Sequence, residues 1–392
     1  MNRNEIVELM KDIYTSREAA EYLNISTQRL NQLVHDNRLS PIKTSKSTML
    51  FLKSDLDFRE ITNVSNQNLQ EKIKPLNINT PYVRDAILYY TIQQYFNNND
   101  KKTCNFIDCI VENDGFNFRS GLTTNIPVLS KLLNIKENEF YNTYSFVKKC
   151  FSELTEDVII VKKGDAAYSR LLASTNEAPP YLFLKGNVHL LNEKSVCVVG
   201  SRNASLDSIK KTERIVKSLI TRNIVVNAGL AKGIDTATHT SALKNGGKTI
   251  AVIGTPINQY YPKENKKIQK EIEQKGLVVS QFPPCNQVYR WNFPTRNGVM
   301  SGISIATIIM EAGETSGALK QADYALKQNR DVLIPQSAIN NESIKWPKKY
   351  EQRGAHVFGN LKQVLELLNN NELLYNLFND SDLEDVKDVE MD

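Results

Sequence analysis

Cysteine, histidine and long apolar runs are all scarce in this chain, and each scarcity removes a class of function. The 392 residues include five cysteines, Cys104, Cys109, Cys150, Cys197 and Cys285, an odd number, scattered and never in a C-x-x-C pair. That spacing argues against a disulfide framework and against a zinc site. The thiols read as small buried hydrophobes. The four histidines, His35, His189, His239 and His356, show no H-x-x-x-H or H-E-x-x-H spacing, so no metal is expected. No G-x-S-x-G elbow occurs, and no G-x-x-x-x-G-K-[ST] phosphate loop. A G-x-G-x-x-G followed by an acid is absent as well, which disfavours a dinucleotide; no cofactor is expected. No apolar run approaches the length of a membrane span, and MNRNEIVELMKDIY lacks the apolar core of a signal peptide. The expectation is a cytosolic protein with no membrane partner.

What is present is ordinary in amount and uneven in placement. Apolar residues make up 41% and charged residues 24%, typical of globular proteins, and the length allows two or three domains. The net charge is only +5, yet residues 195–360 hold twenty-three Lys or Arg against twelve Asp or Glu. Residues 361–392 reverse this, with two against nine. A field of one sign confined to one segment favours a polyanion partner there.

Patterning divides the chain further. In TSREAAEYLNISTQRLNQLVHDN, Thr15 or Ser16 can cap a helix that puts Ala19, Ala20 and Leu23 on one face, and Ser26 can cap a second carrying Leu30, Leu33 and Val34. The return as MLFLKSDL suits a wing. Residues 61–80 are polar and aperiodic and read as a linker, and residues 81–154 read as helical. From 195 onward SVCVV, NIVV, KTIAVI, GLVVS, ISIATIIM and RDVLIP alternate with helix-length stretches. That alternation predicts a doubly wound, mostly parallel sheet, an α/β fold whose crevice lies at the carboxyl ends of the strands.

Five polar turns follow those strands or open helices. Gly200-Ser201-Arg202 offers amides and a guanidinium fork. Gly229-Leu-Ala-Lys232-Gly233 places a point charge before a helix start. Gly254-Thr255 follows KTIAVI; Arg296 and Asn297 lie in FPTRNGVMSGIS; Thr315, Ser316 and Gly317 lie in EAGETSGALK. Each turn alone is common, and together they predict an anion-binding rim. Catalysis finds little support. Asp235 and His239 lie one helical turn apart and could form a base with its orienting partner, but Asp235 bracing the turn with His239 packed beneath is the better reading. Glu311 reads as an acid that orients backbone N–H groups or Arg296 rather than as a general base.

The ordered motifs GSRNAS, AGLAKGID, TIAVIGTPINQYYPKEN, FPTRNGVMSGIS and EAGETSGALKQADYALKQNRDV resemble the signatures of the DprA/Smf DNA-processing proteins, over roughly residues 155–358. The front segment resembles the excisionase and MerR type of helix-turn-helix, which implies that Thr27, Gln28, Arg29 and Gln32 face duplex DNA. The resemblance implies an extended Rossmann-like fold that binds single-stranded DNA without turnover, usually as a homodimer, and passes the strand to a RecA-type recombinase in DNA recombination and natural transformation. Carried over by position, Gly200, Ser201, Arg202, Gly229, Lys232, Gly233, Arg296, Asn297, Ser316 and Gly317 become the phosphate-binding set. Three positions depart from the family pattern: Gly298 replaces a usual Arg, Pro256 a Gly and Asn227 a Ser, so one cationic contact is expected to be missing. The acidic tail is expected to leave no room for the family's C-terminal winged helix, and with a helix-turn-helix at the front a specialised role in phage defence or mobile elements stays open. The expected organisation is a helix-turn-helix domain at 1–60, a linker at 61–80, a helical domain at 81–154, a Rossmann-like domain at 155–360 and an acidic tail at 361–392. Two other classes stay open: a Rossmann-like sensor or enzyme that binds or cleaves a nucleotide ligand, and a transcriptional regulator acting through residues 15–60.

Overall fold

The computed structural model describes residues 13–23, 25–35, 39, 41, 43–44, 49–52, 56, 74–114 and 122–370. These fall into two compact units that divide after Lys72. In the first, strand β1 (Ile13–Thr15) leads into helix α1 (Ser16–Tyr22), and helix α2 (Thr27–His35) precedes strands β2 (Lys43–Thr44) and β3 (Met49–Leu52). Strand β3 pairs antiparallel with both β1 and β2. Thr15 caps α1 through a reciprocal box: its Oγ1 accepts from the Glu18 amide at 3.4 Å while its own amide donates to Glu18 Oε2 at 2.8 Å. Ser26 Oγ accepts from the Arg29 amide at 3.2 Å. The core is the face expected from the spacing, Ala19, Ala20, Leu30 and Leu33 closing on Phe51 and Leu56.

The second unit opens with four helices, α3 (Pro81–Gln94), α4 (Asp100–Asp114), α5 (Leu122–Leu133) and α6 (Glu137–Ser152). They do not keep a core to themselves. Tyr90 and Phe151 pack with Tyr181 and Phe183, ring centroids 5.8 to 6.1 Å apart, in one cluster that also takes in Val158, Ile160 and Val278. Burying each such side chain contributes about 1.5–3 kcal/mol, so the helices and the neighbouring strands stabilise each other.

Those neighbours are β4 (Val158–Lys162) and β5 (Tyr181–Gly186), with the short helix α7 (Arg170–Ala173) between them. Then come β6 (Ser195–Val199), α8 (Leu206–Ile220), β7 (Val225–Ala228), α9 (Ile234–Lys244), β8 (Thr249–Ile253), α10 (Lys266–Lys275) and β9 (Leu277–Ser280). The chain continues as α11 (Asn292–Gly302), β10 (Ala306–Ile309), α12 (Gly317–Lys327), β11 (Asp331–Pro335), α13 (Gln336–Ile339), α14 (Trp346–Gln352), β12 (His356–Phe358) and α15 (Leu361–Asn370). The nine-stranded sheet runs in the order β12-β11-β10-β6-β7-β8-β9-β5-β4. Every pairing from β12 to β9 is parallel; β5 joins β9, and β4 joins β5, antiparallel. The six strands read from the sequence are there in order. Strands β4, β5 and β12 are additional.

This is the extended Rossmann-like class expected, and the strand order reverses between β10 and β6. A crevice opens at such a switch point, beyond the carboxyl ends of the two strands. Helix α15 carries the start of the acidic segment, and its Val364 and Leu368 are buried in the core cluster shared with β6, β7 and β10. The remainder of the expected tail, and most of the expected linker, lie outside the described residues.

Candidate nucleic-acid interface

The turn after β6 and the loop after β7 pack backbone to backbone at the switch point. Gly233 has φ +74°, and a Cβ built on it would lie 2.2 Å from the Ser201 carbonyl oxygen and 2.7 Å from that of Arg202. Only glycine accepts both the backbone conformation and the approach. The Ile234 amide donates to the Ser201 carbonyl at 3.2 Å, and the Ser201 amide donates to the Glu311 carbonyl at 2.6 Å, which ties the ends of β6, β7 and β10 together. Arg202 and Lys232 are both exposed on this rim. Among the described residues the Arg202 guanidinium has no hydrogen-bond partner, whereas Lys232 Nζ meets Glu264 Oε1 at 2.8 Å. That hydrogen bond holds the Glu264 carboxyl below its ordinary range.

Glu264 is brought there by Asn265, which is buried and donates from Nδ2 to the carbonyls of Leu230 and Ala231 at 2.9 and 3.3 Å and to Thr236 Oγ1 at 2.9 Å. Sequence reasoning missed both residues. The signal was present in the YPKEN run, whose asparagine follows a turn and precedes a lysine-rich helix.

Beneath the loop the structure corrects two expectations. Arg296, expected at the phosphates, is only 5% exposed. Its Nη1 donates to the Gly229 carbonyl at 2.7 Å and to that of Val252. A Cβ on Gly229 would lie 2.4 Å from the guanidinium, so the glycine is there to admit the arginine rather than a ligand. Arg296 therefore positions the loop from below. Asn297 is also buried, its Nδ2 donating to the Gly317 carbonyl at 3.4 Å.

The amides expected to cradle phosphate are largely taken by the protein's own carboxylates. Asp235 Oδ2 accepts from the amides of Gly229 and Ala231 at 3.1 and 3.2 Å. Burial raises its pKa, against the opposing pull of Arg296 and those two amides. Burial likewise brings the Arg296 guanidinium down to about 10. Glu311 Oε2 accepts from the Ser205 hydroxyl at 2.7 Å and its amide at 3.1 Å, at the start of α8. Burial opposes ionisation of Glu311, but hydrogen bonds from Ser208 and Ser205 outweigh it and hold the carboxyl below its usual range. His239 is fully buried, with Nδ1 2.8 Å from Thr249 Oγ1. Burial first, and then Arg296, push its pKa down to about 3. A neutral buried imidazole is no general base at the rim.

Of the remaining turns, Gly254 and Thr255 are buried, with Phe293 over Gly254, so that turn presents nothing. Ser316 Oγ caps α12 by accepting from the Ala318 amide at 3.3 Å, and open space surrounds Gly313 and Gly317. Gly298 is buried against Glu177, whose Cγ a Cβ there would meet at 2.8 Å. Glu177 pairs with Lys327 at 2.6 Å and accepts from Gln328 at 2.8 Å. An arginine at 298 would have to displace that group. Asn227 donates to Ser304 Oγ at 2.6 Å inside the sheet and faces no crevice. In the first unit Thr27, Gln28, Arg29 and Gln32 are all exposed on α2, Arg29 Nη1 donating to Gln32 Oε1 at 3.1 Å. Among the described residues no cluster of three or more His, Cys, Asp or Glu gathers as a metal site, and no helix is long and apolar enough to cross a membrane.

A family model described as DNA recombination-mediator protein A matches residues 159–369, more than half of the chain. The chain belongs to that family. DNA processing protein DprA of Streptococcus pneumoniae is 43% identical over 180 residues, 46% of this chain and 64% of that protein. Protein Smf of Escherichia coli is 34% identical over 202 residues, 51% of this chain and 54% of that protein. The chain thus spans less than two thirds of the length of either curated relative. The X-ray structure of the Streptococcus pneumoniae DprA matches at a TM-score of 0.60 and 31% identity, covering 71% of this chain and 97% of that one. The family and its fold are those the motifs indicated.

Proposed function

We propose that this member of the DNA recombination-mediator protein A family binds single-stranded DNA along the switch-point rim, with Arg202 and Lys232 on the phosphates and without chemical turnover. The observation that carries the reading is that two exposed cations from turns far apart in sequence sit on backbones in direct contact. The inner layer supports it: Arg296, Asp235 and Glu311 hold the loops from within, so the cations stand on fixed supports. With Asp235 and Glu311 occupying the nearby amides, phosphate recognition falls mainly to side chains, with Ser201 beside them and the open turn at Ser316 and Gly317 as a further contact. The candidate base His239 and its partner Asp235 are buried beneath the loop, away from the rim, which favours binding over cleavage of a nucleotide. The family description supports a place in recombination; we extend the reading to a RecA-type recombinase that takes the strand from a homodimer.

Fluorescence anisotropy with single-stranded and duplex oligonucleotides over a salt series tests this. The single strand is expected to bind more tightly, with log Kd rising linearly with log salt. Arg202→Ala or Lys232→Ala should each flatten that slope by about 0.7, one phosphate contact on a single strand. Unchanged affinity in both variants refutes the reading. Exposure of Thr27, Gln28, Arg29 and Gln32 on α2 favours a separate duplex contact by the first unit, which a sequence-specific footprint lost on Arg29→Ala checks.

A further inference from the structure

Tyr289 and Trp291 stand stacked at the surface, ring planes 8° apart and centroids 4.3 Å apart. Trp291 is 62% and Tyr289 36% exposed. Two large rings stacked on each other and left open to water make a candidate binding surface. The pair is held ready. Asn292 is 2% exposed and its amide donates to the Tyr289 carbonyl at 3.1 Å. The Trp291 carbonyl accepts from the Thr295 amide at 3.1 Å and the Thr295 hydroxyl at 2.8 Å. The Tyr289 hydroxyl donates to Gln287 at 2.8 Å.

The place of the pair in the fold names its occupant. Two residues on, Phe293 covers Gly254 and packs against Tyr261, centroids 5.0 Å apart. Tyr261 leads directly into the segment whose Glu264 meets Lys232. The platform therefore continues the rim that carries the cations. Arg290 lies between the two rings in sequence, and no Asp or Glu occurs from Gln274 to Met310. A flat aromatic face on a segment that carries Arg290 and no carboxylate of its own fits a base on a sugar-phosphate chain, since every base has a π face to offer.

We propose that Tyr289 and Trp291 form a stacking platform for an unpaired base of the strand whose phosphates lie at Arg202 and Lys232. This rests on the reading of the rim as a single-strand site and adds base stacking to it. The platform favours single-stranded over duplex DNA because paired bases have both faces covered.

The test uses the full chain, an oligothymidylate and an abasic oligonucleotide of equal length, which keeps the phosphates and lacks the bases. The chain has two tryptophans, and Trp346 is 2% exposed with its Nε1 donating to the Ala312 carbonyl at 2.7 Å. Fluorescence quenching on adding oligothymidylate therefore reports Trp291, and is expected with oligothymidylate only. Trp291→Ala should weaken oligothymidylate binding about tenfold and leave abasic binding unchanged, while Trp291→Phe keeps most of the affinity. Equal loss on both oligonucleotides, no loss on either, or a change of oligomeric state by sedimentation in place of a binding defect overturns the proposal. Wild-type protein that binds neither oligonucleotide overturns the single-strand reading beneath it; wild-type binding that Trp291→Ala does not alter overturns the platform alone.

Discussion

The Lys232 ammonium lies 2.8 Å from the Glu264 carboxylate, both groups well exposed, so the cation best placed for a phosphate already has an internal counter-ion. A strand and Glu264 compete for the same charge. Glu264→Gln is therefore expected to tighten single-strand binding, about two- to fivefold at low salt, the range of an exposed ion pair. The gain should shrink as the Debye length shortens with added salt. Anisotropy at two salt concentrations checks both statements; weaker binding in the variant would show that Glu264 holds Lys232 in place for the strand.

Gly233 is the point where the two turns touch. Alanine there would adopt a φ of +74° and press its Cβ onto the Ser201 carbonyl. The strain alone costs on the order of 1–3 kcal/mol. Urea denaturation of Gly233→Ala should show that loss, and single-strand affinity should fall with it because the Arg202 turn must move. Gly246→Ala is the control: it also has positive φ, +67°, but nothing lies within 4 Å of its Cβ. It should lose stability without losing affinity.

Arg296 and Asp235 are buried together under the loop, one bonded to the Gly229 carbonyl and to Val252 of β8, the other to the amides of Gly229 and Ala231. Removing one charge leaves the other uncompensated, at a cost of about 3–5 kcal/mol. Arg296→Met should reach that range in chemical denaturation. Adding Asp235→Asn should restore part of the loss, because the unpaired carboxylate is gone. Additive losses would show that the two charges do not interact.

Acid should weaken the fold through His239, whose pKa in the folded protein is pushed down to about 3 by burial. An unfolded histidine titrates near about 6.5. Between those values the unfolded chain binds the proton and the folded protein does not, so stability is full above the upper value and declines as pH falls. The slope from this one group is at most about 1.4 kcal/mol per pH unit. Urea midpoints at pH 7 and pH 5 should therefore separate more in the wild type than in His239→Gln.

The sequence alone determined the succession of strands β6 to β11 along the chain, the mostly parallel sheet and the kinship, because hydrophobic period, β-branching and turn chemistry are local properties readable within a few residues. Thr15 and Ser26 as caps and Ala19, Leu30 and Leu33 as a core face were legible for the same reason. Strands β4 and β5 were not: no strand of the sheet was read before residue 195, and the two form because β5 joins β9, β4 joins β5, and both pack under Tyr90 and Phe151. Nor could the sequence say which cations face water. Arg202 and Arg296 look alike in a motif, yet one stands on the rim while the other bonds to Gly229, 67 residues away. Likewise Glu311 takes the Ser205 amide across 106 residues, closing an anion site that the glycine turn had seemed to open. Burial and charge pairing depend on distant segments meeting, and only the folded chain brings them together.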